Sequence, residues 1–163
     1  MAGARHVIAV DLLESKRERA AIFGATHSAA NIEEATALVS ELTWGAMADK
    51  VVMTTSIGEG DLIQPALNMT TKGGRVVQTA VAPFSTQSVT MDLFGLTMNE
   101  KQLVGSIFGS ANPRRDIPRL LRLYQEGKLK LDELVTNRYA LEDINTGYAH
   151  MRDGTNIRGM VMY

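Results

Sequence analysis

An α/β fold, a doubly wound parallel sheet with helices on both faces, is what the sequence predicts, and three observations predict it. Short apolar runs rich in β-branched residues alternate with stretches of helical periodicity. Those runs are apolar on both faces, as strands covered by helices are. The 163 residues, 45% of them hydrophobic and 21% charged, suffice for about one domain whose core needs neither a disulfide nor a structural metal.

Val7-Ile8-Ala9-Val10 reads as a fully buried strand ended by Asp11. Lys16 to Phe23 is rich in helix formers, with Gly24 as its stop. Asn31 with Glu34 three residues on resembles a capping box, and Ala35, Leu38, Val39 and Leu42 follow at helical spacing. Lys50 to Thr54 reads as a second buried strand, and Asp61 to Met69 as a helix with Pro65 in its first turn. Gly73-Gly74 reads as a turn before the strand Arg75 to Thr79. Ser88 to Met91 and Gln102 to Phe108 read as further strands. Asn112-Pro113 is expected to cap a helix carrying Ile117, Leu120, Leu121 and Tyr124 until Gly127. Asp143 to Arg152 is a short helix stopped at Gly154, and Ile157 to Tyr163 a closing strand. There is no internal repeat. Phe84 to Ser88 is the only loosely polar stretch, and no low-complexity linker divides the chain.

Composition narrows the function. Lys and Arg number 17 against 18 Asp and Glu, a net charge of -1, so no field gathers a phosphodiester backbone and no nucleic-acid partner is expected. The longest apolar runs fall far short of the roughly 20 residues of a membrane span, so no membrane partner is expected. The absence of Cys excludes thiolate nucleophiles, CxxC pairs and Cys-ligated zinc, and fits a reducing, cytoplasmic location. Met1 to Arg5 has the features of neither a signal peptide nor a transit sequence.

Asp11 stands at the carboxyl end of a strand, the edge where doubly wound sheets bind ligands. A carboxylate there accepts hydrogen bonds from the ribose hydroxyls of a dinucleotide and repels a 2′-phosphate, selecting NAD over NADP, and Lys16 lies one turn on. Asp11 reads equally well as a cap of the following helix. The glycine-rich G-x-G-x-x-G turn that should stand about 20 residues upstream is absent, since only ten residues precede Asp11. His6, His27 and His150 are too far apart in sequence for a metal motif. Arg114-Arg115 reads as a solvated helix start or an anion site, and Glu142-Asp143 as helix-start carboxylates. No Ser stands in a G-x-S-x-G elbow, so a hydrolase has no nucleophile here.

Several strings together resemble one family: Ala2-Gly-Ala-Arg-His-Val-Ile-Ala-Val-Asp11, Phe23-Gly-Ala-Thr-His27, Lys72-Gly-Gly-Arg75, Gly105-Ser-Ile-Phe-Gly109, Asp132-Glu-Leu-Val-Thr136 and Asn156-Ile-Arg-Gly159. The sequence is similar to the carboxyl-terminal half of zinc-dependent, medium-chain alcohol dehydrogenases of the actinobacterial type. That resemblance implies an incomplete Rossmann-type sheet entered at the end of its first helix. Residues 1–107 would be a partial NAD-binding domain without first strand and glycine turn, and 108–163 a tail that packs on the catalytic domain of full-length relatives. The family's reaction is hydride transfer between an alcohol and NAD, with zinc polarising the alcohol oxygen. The zinc ligands belong to the amino-terminal domain and have no counterpart here.

Residue by residue, the resemblance assigns Asp11 and Lys16 to the adenosine ribose, and Thr54 and Thr55 to the loop beside adenosine and ribose. It assigns Thr79, Ala80 and Val81 to the strand end against the nicotinamide, the backbone of Ser106 and Phe108 to its carboxamide, and Arg158 to a phosphate. Ser56 and Ala80 stand where the family usually has Gly, and Ser88 to Met91 matches a strand that pairs across the family dimer. The resemblance thus implies a fragment inactive by itself, associating through sheet edges into homo-oligomers or completed by a separately encoded amino-terminal half. A non-catalytic remnant or homo-oligomerising module is the reading from another class.

Overall fold

The structure, a computed structural model, describes residues 3–86 and 88–163. The readings of the chain's first two residues and of Gln87 within the Phe84 to Ser88 stretch lie outside the described residues. In chain order the elements are β1 (Ile8–Val10), α1 (Glu14–Ala20), β2 (His27–Ala29), α2 (Ile32–Leu42), β3 (Ala48–Met53), α3 (Ile63–Asn68), β4 (Thr70–Gln78), α4 (Leu93–Met98), β5 (Gln102–Gly105), α5 (Pro113–Gln125), β6 (Val135–Ala140), α6 (Ile144–Arg152) and β7 (Arg158–Met162). They gather into two compact units, Met1–Ser28 with Asn112–Tyr163, and Ala29–Ala111.

The Ala29–Ala111 unit is built on a parallel sheet of order β3-β4-β5. Its register aligns Met53 with Gln78 and Gln78 with Gly105, so the three strands end together at one carboxyl edge. α3 lays Ile63, Ala66 and Leu67 against Met53 and Val76, with Val51, Leu62, Met91 and Leu96 around them. Two donors finish α3: the Leu67 carbonyl accepts from Thr70 Oγ1 at 2.8 Å and from Lys101 Nζ at 2.7 Å, which satisfies a carbonyl the helix leaves free and sets a cation at its negative end. α2 begins as expected, the Asn31 side chain accepting from Glu34 N at 2.8 Å, while Glu34 reaches back to Ala30 N at 2.8 Å. Its buried face is Ala35 and Val39.

In the other unit β1 pairs with β2, and β6 runs parallel to β7. Gly24 closes the turn after α1 with φ 99°, a left-handed angle that glycine adopts without a Cβ clash. At the start of α5, Asp116 accepts from Asn112 N at 2.7 Å and from Arg115 Nε at 2.9 Å. The Arg115 hydrogen bond, then the Asn112 N–H, holds the Asp116 carboxyl below its ordinary range. A lowered carboxylate contributes stability above its unfolded pKa and loses it as pH falls through the folded one, so Asp116→Asn should flatten the acid limb of the stability profile below about pH 4. Acid titration of both chains by circular dichroism checks this; the effect is small because the Arg115 partner is exposed and solvent-screened, and identical limbs would contradict it.

Several expectations are corrected. Val7 to Val10 is not fully buried: β1 is half-buried and Val10 is 45% exposed, because β2 is its one hydrogen-bonded neighbour among the described strands. Gly73-Gly74 is not a turn before the strand but a bulge inside β4, where Ala48 faces Thr70 and Lys50 faces Arg75, and Gly73 has φ 72°. Ser88 to Met91 is irregular, since Asp92 N donates to Gln64 Oε1 and Met91 packs on the core. The strand from Gln102 ends at Gly105, after which Phe108 to Ser110 turn left-handed. Asn112 makes no side-chain cap; the bond at this end runs the other way, the Asn112 N–H donating to Asp116 inside the helix. β2 and β6 were not anticipated.

Candidate functional site

The strand ends of the Ala29–Ala111 unit bring together seven of the residues singled out. Thr54 and Thr55 follow β3, Thr79, Ala80 and Val81 follow β4, and Ser106 and Phe108 follow β5. The ladder runs past the strands: Thr79 N and Oγ1 both donate to Met53 O, at 3.2 and 2.7 Å, and Ser106 N donates to Gln78 O at 2.9 Å. Thr55 Oγ1 donates to Ile57 O at 2.7 Å, and Gly58 N to Val81 O at 3.1 Å, so the loop after β3 is tied to the segment after β4. Val81 and Phe108 stand out, 74% and 91% exposed. Phe108 and Ser110 hold φ of 48° and 54°, a backbone angle costing L residues about 1–2 kcal/mol each.

Two residues at this edge escaped the sequence reading. A Cβ on buried Gly58 would lie 2.7 Å from Gln78 Nε2, 2.9 Å from Ala80 O and 3.0 Å from Ala82 N. Gln78 spends its amide N–H on Ala80 O at 2.8 Å, and its Oε1 is buried without a partner among the described residues. The only signal was the glycine itself. Ser56 and Ala80 fit without left-handed backbone.

Asp11, Lys16 and Arg158 lie in the other unit. Asp11 Oδ1 accepts from Leu13 N at 2.9 Å, an Asx turn, and α1 begins after Leu13, so Asp11 shapes the entry to the helix without being its cap. Arg17 Nη1 grips the same turn through Asp11 O and Leu12 O, at 2.7 and 3.0 Å. Lys16 lines a cleft with Ala20, Phe23, Leu134, Asn156 and Ile157, next in sequence to Arg158 at the start of β7. His6 and His27, distant in sequence, have ring centroids 5.5 Å apart. Arg115 is paired with Asp116, at 2.9 Å, which takes one cation from the anion-site reading of Arg114-Arg115.

Polar strand ends gathered at the carboxyl edge of a parallel sheet are the ligand-binding edge of an α/β nucleotide-binding domain. Residues 1–126 match the zinc-binding dehydrogenase family, and the chain belongs to it. It is 51% identical over 164 residues to the NDMA-dependent alcohol dehydrogenase of Amycolatopsis methanolica, covering 99% of this chain and 44% of that protein. It is 46% identical over 162 residues to alcohol dehydrogenase B of Mycobacterium tuberculosis, covering 99% and 43%. The benzyl alcohol dehydrogenase of Acinetobacter calcoaceticus superposes with a TM-score of 0.87 at 30% identity, over 98% of this chain and 43% of that one. The chain therefore spans less than half the length of these relatives, and its fold is part of a Rossmann-type domain.

Zinc does not fit the residues present. The 163 residues include no Cys, and among the described residues no group of three His, Cys, Asp or Glu is placed to hold a metal, the His6–His27 pair being two. A dinucleotide finds more here: Gln78 Oε1 at the same edge is a buried acceptor without a partner among the described residues, while Gly58, lacking a Cβ, lets the loop after β3 close onto Ala80 and Ala82. Among the described residues no helix is long and apolar enough to cross a membrane.

Proposed function

We propose that this chain carries the cofactor side of an NAD-dependent alcohol dehydrogenase, the convergence of three strand ends on one sheet edge being the observation that supports it most. Asp11 and Lys16 would hold the adenosine ribose and Arg158 a phosphate. Thr54 and Thr55 would line the adenosine side, Thr79, Ala80 and Val81 the nicotinamide, and the backbone of Ser106 and Phe108 its carboxamide. Bound NAD accepts a hydride from an alcohol carbon. The residues here bind and orient the cofactor; zinc ligands have to come from outside these 163 residues, either an amino-terminal domain or a separately made chain. Segment 108–163 would rest on that domain, as the exposed Ile117, Leu120 and Leu121 of α5 suggest.

The test is a fluorescence titration of the chain with NADH and NADPH. NADH should bind in preference, and Asp11→Ala should weaken NADH while narrowing the gap to NADPH, because the carboxylate opposes a 2′-phosphate. Tighter NADPH binding, or unchanged binding in the variant, would contradict the reading.

A homo-oligomerising module is the second reading, favoured by β5. This edge strand pairs on one side only among the described strands and exposes Leu103 and Val104, each 38%. Sedimentation should then give dimers or larger at micromolar concentration, whereas a compact monomer would rule association out.

A further inference from the structure

The turn that leads into Arg158 is anchored at every residue. Gly154 takes φ 68°, and a Cβ there would lie 2.5 Å from Leu13 Cδ1 and 3.4 Å from Lys16 Nζ. Thr155 donates to His150 O through its N–H at 3.0 Å and its hydroxyl at 3.2 Å. Asn156 Nδ2 donates to the Tyr139 hydroxyl at 3.3 Å, and Ile157 N to Thr136 Oγ1 at 3.1 Å. Tyr139 is the interior end of this set, 9% exposed, its hydroxyl 2.8 Å from His150 Nδ1. A Cβ on Gly159 would lie 2.7 Å from its ring and one on Gly147 3.2 Å, so neighbouring backbone clamps the ring on the β7 and α6 sides.

Four polar side chains, Thr136, Tyr139, Thr155 and Asn156, thus hold one turn. With Asn156 donating to the Tyr139 oxygen, the hydroxyl proton is left for His150 Nδ1, which accepts it when the ring carries its own proton on Nε2. A Phe at 139 would keep the packing and remove the oxygen on which Asn156 is held. We propose that Tyr139 is a positioning residue for dinucleotide binding: its hydroxyl, held by His150, fixes Asn156 and with it the turn that presents Arg158 to a phosphate. The proposal rests on the reading of Arg158 given above.

The experiment is a thermodynamic cycle read by NADH fluorescence on the full 163-residue chain, comparing wild type, Tyr139→Phe, Asn156→Ala, Arg158→Ala and the Tyr139→Phe/Arg158→Ala pair. Asn156→Ala cuts the same link from the surface, so a folding defect in Tyr139→Phe does not decide the outcome. Tyr139→Phe and Asn156→Ala should each weaken NADH about five- to tenfold and Arg158→Ala about tenfold or more, with the double variant no weaker than Arg158→Ala alone. A merely structural tyrosine would give losses that multiply, and that result, or wild-type affinity in both Tyr139→Phe and Asn156→Ala, overturns the proposal. No NADH binding by the wild type, or no effect of Arg158→Ala, overturns the reading beneath it and the proposal together. Loss in Arg158→Ala with none in the other two single variants overturns the proposal alone.

Discussion

Leu67→Ala should lower the stability of the chain by about 2–5 kcal/mol, the range for removing a buried Leu side chain and leaving its cavity. Leu67 is 3% exposed and packs with Met53, Ile63, Ala66 and Val76, a buried cluster in which α3 meets the sheet. α3 has six residues, too few to persist without that packing, so the cavity should also loosen the helix end held by Thr70 and Lys101. Leu120→Ala on α5 is the control, since that side chain is already 45% exposed and loses little burial. Urea unfolding of both variants checks the pair. A loss below about 1 kcal/mol for Leu67→Ala, or equal losses at the two sites, would show that the core lies elsewhere.

Gly58→Ala is the second large effect, and it falls on function as well as stability. The new Cβ would press on the Ala80 carbonyl and the Ala82 N–H at about 3 Å, and backbone atoms cannot swing aside as a side-chain end can. Relief requires the loop after β3 to move away from the segment after β4, breaking the Gly58 N to Val81 O bond that joins them. Overpacking of this kind costs about 1–3 kcal/mol. Because the displaced segments carry Thr55 and Thr79 to Val81, NADH affinity should fall more than stability alone explains. Paired measurements of thermal midpoint and NADH affinity separate the two. An unchanged midpoint together with wild-type affinity would mean that the edge has slack.

How far the sequence disclosed this fold depended on how local each signal was. α2 was legible because its cap and its buried stripe are both written within a dozen residues, from Asn31 to Leu42. β3 and the second half of β4 were legible as apolar β-branched runs. β2 and β6 were not: His-Ser-Ala and Val-Thr-Asn-Arg-Tyr-Ala carry no such run, and pairing with β1 and β7 makes them strands. Ser88 to Met91 erred the other way, its residues suiting a strand while the chain spends them on the Gln64 side chain and the core.

The candidate site divides along the same line. Asp11 was visible as a carboxylate ending an apolar run, whereas Thr54 and Thr79 were marked by the resemblance alone. Gly58 and the Tyr139–His150–Asn156 set were not visible, because their partners come from tertiary approach, 17 residues apart for Asn156 and Tyr139, and Gln78 is marked only by the burial of its Oε1. The resemblance to the dehydrogenases supplied Ser106, Phe108 and Arg158, whose side-chain chemistry alone would not have marked them.

If the chain holds a nicotinamide dinucleotide at its strand ends, NADH added to a 15N-labelled sample should mark them. Backbone amide shifts should concentrate at residues 54–58, 79–81 and 106–108. Shifts scattered over α5 and α6, or none at millimolar NADH, would contradict it.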